Sequence, residues 1–455
     1  MRTTRPLAMA SGPLLAALSA GAALLAGLDA PAAWTAAIAA WCVAWWISEP
    51  VPIPATSLIP FAAFPMAGVL DHKSVASAYG HTLILLLLGG FILSTAMAKS
   101  GAHRRLAVGI VRLVGGGGRR LVLGFMLACA LCSMWISNTA TTLMLLPVAG
   151  AVLERADKRL TTPLLLGLAY SASIGGIGTP VGTPPNVIFM GIYREATGAD
   201  ISFLQWMTIG IPAVAILLPL AWLWLTRSLA DTPAVALPAL PAWKPAERRV
   251  LAVFGITALL WVTRTAPFGG WSGALSMDGV GDSTVALAAV VVLFALPDGE
   301  GGPMLDWETA REIPWGLLLL FGGGIAIARA FEASGLSGAI GGAMTGLMTL
   351  PALLLIAAVC LSVTFLTEVT SNTATTTLLM PVLAAAGLAA GIDPALLMIP
   401  AALSASCAFM LPVATAPNAI VFGTGKISTR TMAREGLVLN LVGAVCLTVV
   451  CWLLL

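Results

Sequence analysis

The chain has 455 residues, of which 59% are hydrophobic and only 9% are charged, and its mean hydropathy is +0.97. A soluble domain carries about 25% charged residues, so charge this sparse cannot cover a surface that faces water. The composition excludes a soluble protein and predicts an all-α polytopic membrane protein with small loops. The net charge of +3 gives no indication of a nucleic-acid partner.

Apolar segments long enough to cross a bilayer recur from the N-terminus onwards. The first follows Arg2 and Arg5. A cleaved signal peptide is the alternative, but we interpret residues 1–32 as an uncleaved helix whose arginines hold the N-terminus in the cytoplasm of a bacterial-type inner membrane. We predict about eleven transmembrane helices, at residues 12–30, 33–48, 51–70, 83–103, 163–192, 204–226, 250–264, 283–297, 314–333, 396–425 and 435–455.

Between the fourth and fifth predicted spans, basic residues flank the apolar segment 121–154 on both sides. They are Arg104, Arg105, Arg112, Arg119 and Arg120 before it, and Arg155, Lys158 and Arg159 after it. Positive charge marks the cytoplasmic side of a membrane. The segment is too long for one span and too short for two with a loop. We therefore predict an inner re-entrant hairpin that enters and returns on the cytoplasmic side.

A polar hexapeptide, Ser-Asn-Thr-Ala-Thr-Thr, lies at the centre of this hairpin and occurs again at residues 371–376, 234 positions later. Lipid offers the backbone of such a segment no partners, so it must line a cavity or be buried in protein. A second pair of strings, at residues 180–186 and 412–418, recurs with the similar offset of 232. These matches predict an internal repeat with a binding site at the interface of its two halves.

The flanks of the second hexapeptide contain no Lys or Arg, so the outer hairpin, at residues 350–390, is expected to enter from outside. The two halves are then inverted. Repeat 1 covers residues 33–226, repeat 2 covers residues 250–455, and a cytoplasmic linker with four prolines and four basic residues joins them at residues 227–249.

The repeated motifs consist of residues that can bind ions without carrying charge. Ser, Asn and Thr supply oxygens for hard cations such as Na⁺, and helix N-termini favour anionic groups. Proline interrupts a helix, so Pro184 and Pro185 predict a break in the fifth span, and Pro417 predicts one in the tenth. Helix packing is the alternative role for small polar residues, but repetition in inverted halves favours binding. The absence of Lys, Arg and His from these motifs favours Na⁺ coupling over proton coupling.

One acid lies close to the second hexapeptide. Glu368 precedes it by three residues, and its counterpart in the first repeat is Met134. An intramembrane carboxylate is a candidate functional group. Two interpretations stay open: a structural acid satisfied within the hairpin, or a residue of coupling or gating. The seven cysteines show no metal-ligand spacing and are expected in the core.

The paired Ser-Asn-Thr motifs and the Pro-Asn breaks resemble those of the divalent anion/sodium symporter (DASS) family, over about residues 33–455. The resemblance implies a homodimer, a scaffold domain with a moving transport domain that works as an elevator, and C4-dicarboxylates or citrate as substrates. It implies substrate-binding residues at Ser137, Asn138, Thr139, Thr183, Ser371, Asn372, Thr373 and Thr415. It implies one Na⁺ site at Ser133, Ser137, Asn138 and Gly182, and a second at Thr367, Thr370, Asn372 and Ala414.

The sequence thus predicts a sodium-coupled importer of dicarboxylates such as succinate, fumarate and malate. The sequence departs from the family at Ala416, where proline is common, and this difference leaves the identity of the anion open. A sodium-independent dicarboxylate exchanger, or a transporter of citrate, tartrate or sulfate, is the alternative. We do not expect an enzyme, because no Ser-His-Asp set is visible and Glu368 lacks a facing acid or metal cluster.

Overall fold

A computed structural model of the protein describes residues 5–115, 117–154, 156–229, 242–277, 279–344 and 350–455. These residues form helices, and the strand-like pairing found among them is an isolated bridge between Pro297 and Pro303. Seven of the described helices are long and apolar enough, by length and composition, to cross a membrane. The predicted all-α polytopic class is confirmed, whereas the number of eleven spans stays a prediction.

The described residues up to position 114 form a helical N-terminal region. Its helices are α1 (Arg5–Leu25), α2 (Ala30–Ser48), α3 (Ile53–Thr56), α4 (Ile59–Met66), α5 (His72–Tyr79), α6 (Thr82–Ser100) and α7 (Ala102–Val114). The segment predicted as one span at residues 51–70 consists of two shorter helices, because a turn at Ser57 separates α3 from α4. Pro60, the second residue of α4, has no N–H group with which a continuous helix could bond to Thr56 O. Trp46 Nε1 fixes the turn by donating to Ser57 Oγ at 3.0 Å.

The predicted fourth span, at residues 83–103, is also too long. Gly101 ends α6 in the left-handed conformation, with φ 76°, and glycine adopts this conformation without a Cβ clash. The basic segment that follows is not a loop but the amphipathic helix α7. Arg105 on α7 donates to Glu247 at 2.8 Å, and both side chains are buried.

The next four helices contain the first copies of both repeated motifs. They are α8 (Gly118–Ser133), α9 (Asn138–Leu153), α10 (Thr161–Gly176) and α11 (Pro184–Thr197). The predicted fifth span is interrupted between α10 and α11, as its two prolines indicated. Arg155, one of the basic residues used for the topology, lies outside the described residues.

The helices around the middle of the chain connect the two halves. They are α12 (Phe203–Leu225), α13 (Pro245–Val262), α14 (Gly270–Ala274), α15 (Asp282–Ala295) and α16 (Trp307–Ala310). Residues 230–241 of the predicted linker lie outside the described residues, as do residues 1–4 of the predicted N-terminal helix. The described part of the linker makes ion pairs: Arg227 with Glu435 at 2.8 Å, and Lys244 with Glu300 at 3.2 Å.

The remaining helices carry the second copies of the motifs. They are α17 (Trp315–Ala333), α18 (Leu336–Met344), α19 (Ala352–Leu366), α20 (Asn372–Ala389), α21 (Ala395–Ala405), α22 (Ala416–Phe422) and α23 (Thr429–Leu454). The tenth predicted span is interrupted between α21 and α22.

Corresponding helices make corresponding contacts. α10 packs against α8 and α9, and α21 packs against α19 and α20. The two groups also cross-contact, since α9 packs against α22 and α11 packs against α20. Buried apolar side chains of both groups belong to one continuous core. This packing brings both hexapeptides and both breaks to one place.

Candidate functional site

The first polar turn, residues 137–139, begins a helix inside an apolar sequence. α8 ends at Ser133 and α9 begins at Asn138. Ser137 is the N-cap, and its hydroxyl oxygen accepts a hydrogen bond from Ala140 N at 3.2 Å. Serine is preferred at this position because its side chain satisfies an N–H group that lacks an intrahelical partner. The motif therefore separates two helices and caps the second.

The second polar turn, residues 371–373, has the same construction. α19 ends at Leu366 and α20 begins at Asn372. The Ser371 hydroxyl accepts from Ala374 N at 3.1 Å. Identical local sequence thus gives identical capping in both halves of the chain.

An oxygen cluster lies behind the first polar turn. Ser133 Oγ is 2.6 Å from Asn138 Oδ1 and 2.7 Å from the carbonyl oxygen of Ala172. A hydroxyl has one hydrogen, so Ser133 donates to only one of these acceptors at a time. Ser133 is fully buried. Three oxygens that share one hydrogen leave an excess of lone pairs, and hard cations take oxygen ligands of this kind.

The second polar turn has a matching cluster. Thr367 Oγ1 is 2.9 Å from Asn372 Oδ1 and 2.9 Å from the carbonyl oxygen of Ala405. Thr367 is fully buried as well. Serine in one repeat and threonine in the other thus place the same hydroxyl between the same two kinds of acceptor.

The backbone of the first break, residues 177–183, is stabilised by a buried side-chain amide. Asn186 Nδ2 donates to the carbonyls of Gly176 at 3.0 Å and Thr179 at 2.7 Å. A Cβ on Gly182 would lie 2.5 Å from Gly176 O and 2.9 Å from Met134 O. Glycine is therefore required here by close backbone approach. Both carbonyls converge on Gly182.

The second break, residues 406–415, uses the corresponding asparagine. Asn418 Nδ2 donates to the carbonyls of Ala408 and Leu411, both at 3.1 Å. Thr415 is the N-cap of α22 and accepts from Asn418 N at 3.2 Å.

Glu368 anchors the second break from the opposite side. Its Oε1 accepts from Phe409 N at 2.7 Å and from Met410 N at 2.8 Å, and its Oε2 accepts from Leu411 N at 2.9 Å. Asn440 Nδ2 on α23 donates to Oε1 at 2.8 Å. The structure favours the structural interpretation, but the partners lie in the second break and in α23 rather than within the predicted hairpin. The first break lacks this anchor because Met134 occupies the matching position.

The two polar turns and the two breaks enclose a cavity of about 460 Å³. It is lined by Phe91, Ser137, Asn138, Thr139, Gly182, Thr183, Pro184, Pro314, Leu317, Ser371, Asn372, Thr373, Ala414, Thr415, Ala416 and Pro417. All eight residues predicted to bind substrate are among them. The motifs are 234 positions apart in the chain, and the fold brings both to one cavity.

The electrostatic character of this cavity comes from backbone rather than from charged side chains, because none of its lining residues is charged. The first residues of four helices line it: Asn138 of α9, Pro184 of α11, Asn372 of α20 and Ala416 of the short α22. The N-terminal end of a helix carries partial positive charge and free N–H groups. The cavity is therefore suited to an anion, while the oxygen clusters behind the polar turns are suited to cations.

The predicted cation ligands fall into three groups. Ser137, Asn138, Gly182, Asn372 and Ala414 line the cavity. Ser133 and Thr367 lie behind it in the oxygen clusters described above. The side chain of Thr370 is not brought to this cavity: it bonds to Thr375 Oγ1 at 2.5 Å and lines a separate small pocket beside α2.

Three lining residues were not singled out from the sequence. Phe91 on α6 and Pro314 and Leu317 at the start of α17 form an apolar wall of the cavity. The signal that could have found this wall is a Leu-rich string with a Gly-Gly pair that occurs at residues 85–90, directly before Phe91, and again at residues 317–323, which begin with Leu317. In the part of the chain that the structure describes, no group of His, Cys, Asp and Glu is arranged to hold a metal ion.

A cavity where two polar turns and interrupted helices from two similar halves meet, in a chain of membrane-length helices, is characteristic of a secondary transporter. The sequence comparisons give the family. Residues 23–455 match the family described as sodium:sulfate symporter transmembrane region. The chain belongs to this family, and the predicted DASS membership is confirmed.

Relatives in two staphylococci match almost the whole chain. The sodium-dependent dicarboxylate transporter SdcS of Staphylococcus saprophyticus is 38% identical over 97% of this chain and 90% of its own length. SdcS of Staphylococcus aureus is 39% identical over 91% of this chain and 84% of its own length.

Two solved transporters share the fold at low sequence identity. The YdaH transporter of Alcanivorax borkumensis has a TM-score of 0.59 and 18% identity, and the match covers 85% of this chain and 86% of that protein. MtrF of Neisseria gonorrhoeae, an antimetabolite efflux pump, has a TM-score of 0.60 and 14% identity, covering 83% and 82%.

Proposed function

We propose that this protein imports C4-dicarboxylates of the succinate, fumarate and malate type and couples their uptake to Na⁺. The observation that carries the proposal is the duplicated oxygen cluster beside a cavity that has no charged lining residue. Such a cavity lacks a fixed cation to balance a dianion, so co-bound cations have to supply that charge. The names of the staphylococcal relatives, which specify sodium and dicarboxylates, support the same assignment. The protein moves its substrate without a catalytic step.

The two Na⁺ sites are assigned to corresponding places behind the polar turns. The first uses Ser133, Ser137, Asn138 and Gly182, and the second uses Thr367, Thr370, Asn372 and Ala414. Thr370 would contribute its backbone, because its side chain is turned to Thr375. Each site then joins the end of one helix to a polar turn and a break, so a bound ion crosslinks elements that are otherwise separate.

The dicarboxylate is assigned to the cavity itself. The first repeat contributes Ser137, Asn138, Thr139 and Thr183 to its lining, and the second contributes Ser371, Asn372, Thr373 and Thr415. Two similar sets of donors suit a ligand with two carboxylates. Neutral hydroxyl, amide and backbone N–H donors at helix starts provide the hydrogen bonds.

We propose an inverted repeat with an inner hairpin at residues 121–154 and an outer hairpin at residues 350–390, working as a homodimer by an elevator movement. The joint packing of α8–α11 with α19–α22 supports one mobile unit. The apolar wall of Phe91, Pro314 and Leu317 comes from α6 and α17, outside this unit. It provides an apolar surface past which the mobile unit can move. We also propose that the N-terminus lies in the cytoplasm.

A larger anion such as citrate is the second candidate. Ala416 begins α22 at the cavity, where the first break has Pro184. A methyl group in place of a proline ring leaves more room at this position of the cavity, and this is the observation that supports a tricarboxylate as the second candidate.

Uptake of radiolabelled succinate into proteoliposomes tests these assignments. We expect uptake to need an inward Na⁺ gradient, to fail with Li⁺ or K⁺, and to increase when the interior is made negative. Unlabelled citrate as competitor distinguishes the second candidate. If internal dicarboxylate alone drives uptake in the complete absence of Na⁺, the protein is an exchanger and both cation sites are wrongly assigned.

A further inference from the structure

Two asparagines occupy the same position in the two halves and have not been assigned a role in binding. Asn186 is the third residue of α11 and Asn418 is the third residue of α22, each directly after a break. Both are fully buried. We propose that Asn186 and Asn418 are positioning residues that set the Na⁺ affinity of the first and second cation site respectively; this inference rests on the proposed function.

In the first repeat, Asn186 holds the carbonyls that surround the assigned cation site. Its Nδ2 bonds to Gly176 O and to Thr179 O, so one amide ties the end of α10 to the turn that follows. A Cβ on Gly176 would lie 2.7 Å from Asn138 Oδ1, which places the Asn138 amide against the same end of α10. Loss of the Asn186 amide would free both carbonyls and change the distances at Gly182.

In the second repeat, Asn418 makes the same pair of bonds to Ala408 O and Leu411 O. The two breaks differ otherwise: Glu368 anchors the second, and Met134 stands in its place in the first. Glu368 accepts from N–H groups of the second break and cannot hold the carbonyls of Ala408 and Leu411. Holding two carbonyls is therefore the task of the asparagine in both breaks, and the other feature that the two breaks share is the cation site.

The other end of each amide is unused within the described part of the protein. Asn186 Oδ1 and Asn418 Oδ1 are buried and have no hydrogen-bond partner there. The amide orientation is fixed, because turning either group would set its oxygen against two carbonyl oxygens. A buried acceptor without a partner is costly. In both repeats this free oxygen adds a lone pair and negative potential beside the break, which a cation or its bound water can satisfy.

The test compares Asn186→Ala and Asn418→Ala with the parent protein in proteoliposomes. For each variant we expect the Na⁺ concentration for half-maximal uptake to rise about tenfold, as for the loss of about one hydrogen bond near an ion. The maximal rate at saturating Na⁺ should stay within about twofold of the parent, and so should the succinate KM measured there. The Na⁺-dependent increase of the melting temperature of the purified protein should require correspondingly more Na⁺.

Thr257→Val is the matched control, because Thr257 is buried and its hydroxyl bonds within its own helix, to Val253 O at 2.8 Å. It should leave the Na⁺ dependence unchanged. Asn186→Ser and Asn418→Ser keep a polar side chain that is too short for both carbonyls, and they carry the same test if an alanine variant does not fold. Folded variants with the Na⁺ half-saturation of the parent would overturn the inference.

If the inference fails, Ser133→Ala and Thr367→Val show whether the positioning role of the asparagines or the assignment of the cation sites is wrong. If these two variants weaken Na⁺ binding while the asparagine variants do not, the cation sites stand and the positioning role of the asparagines is rejected. If none of the four changes the Na⁺ dependence, the assigned cation sites are themselves wrong, and the inference falls with them.

Discussion

The buried carboxylate of Glu368 accepts a hydrogen bond from Asn440 at 2.8 Å and thereby joins the end of α19 to α23. The same carboxylate receives three backbone N–H groups of the second break. An irregular backbone at membrane depth has to satisfy its polar groups within the protein. In the second break a single acid meets this requirement for three N–H groups, and Asn418 meets it for two carbonyls.

Replacement of Glu368 should therefore lower the stability of the fold, and its effect on transport should follow from that loss. Glu368→Ala leaves the partly buried N–H groups of Met410 and Leu411 and the buried Asn440 amide without their acceptor, at about 1–3 kcal/mol each. Phe409 N keeps Asn440 Oδ1 as an acceptor at 3.2 Å. Glu368→Gln keeps one oxygen and should be milder. Thermal melting in detergent measures both, with Glu332→Gln, at an exposed acid near the end of α17, as control. A parental melting temperature for Glu368→Ala would contradict the anchoring role.

Removal of either turn amide should abolish most transport. Asn138→Ala and Asn372→Ala each delete an oxygen from a cluster and a group from the cavity wall. A hydrogen bond to a charged group is worth about 1.5–3 kcal/mol, which corresponds to roughly a tenfold to hundredfold loss of affinity. Succinate uptake and Na⁺ titration provide the measurement, with melting temperature as the folding control. Near-normal uptake by either variant would remove the polar turn from the site.

Glycine at position 182 should be required for Na⁺-coupled transport, in contrast to a glycine in the neighbouring helix α9. Gly182→Ala would bring a Cβ within 2.5 Å of Gly176 O, so the first break has to shift and the first Na⁺ site with it. Gly150→Ala in α9 is the control, because nothing lies within 4 Å of its added Cβ. Alanine there should stabilise the helix by about 0.5–1 kcal/mol. Equal transport activities of the two variants would refute the close approach as a requirement for Na⁺ binding.

Proline at position 416 should fit the backbone and narrow the cavity. Proline is well tolerated at the first helical residue, and Thr415, with φ −139° and ψ 152°, has the extended conformation that precedes proline. Ala416→Pro should leave stability unchanged or raise it by about 0.4–1 kcal/mol. Competition of citrate against labelled succinate should become weaker. If citrate competes equally well in the variant, Ala416 does not contribute to anion selection.

The proposed inversion can be tested by labelling single cysteines. The seven native cysteines are buried and free, so a cysteine-less background is the starting point. A cysteine at Ala156 should react with an impermeant maleimide from the cytoplasm, because basic residues flank the first hairpin. A cysteine at Ala389 should react from outside. Labelling of both positions from one side would rule out inverted hairpins.

The sequence alone determined the class of the protein, because sparse charge and long apolar segments are compatible with few environments other than a bilayer. It also located the elements of the site. Ser137 and Ser371 cap the helices that follow them, and Pro184 and Pro417 mark the interrupted spans. Both effects are predictable because capping and proline restriction are local. The eight predicted substrate-binding residues could be named because the motifs that contain them resemble those of the family.

Only the tertiary structure decided which side chains meet. The separation of α3 from α4 depends on contacts of Ser57 with Trp46, and the apolar wall containing Phe91 depends on how α6 packs. The role of Glu368 stays ambiguous in the sequence because donors to its carboxylate oxygens could come from anywhere in the chain. In the fold these donors are the N–H groups of residues 409–411 and the amide of Asn440. Such pairings are set by packing between helices distant in sequence, which no local pattern records.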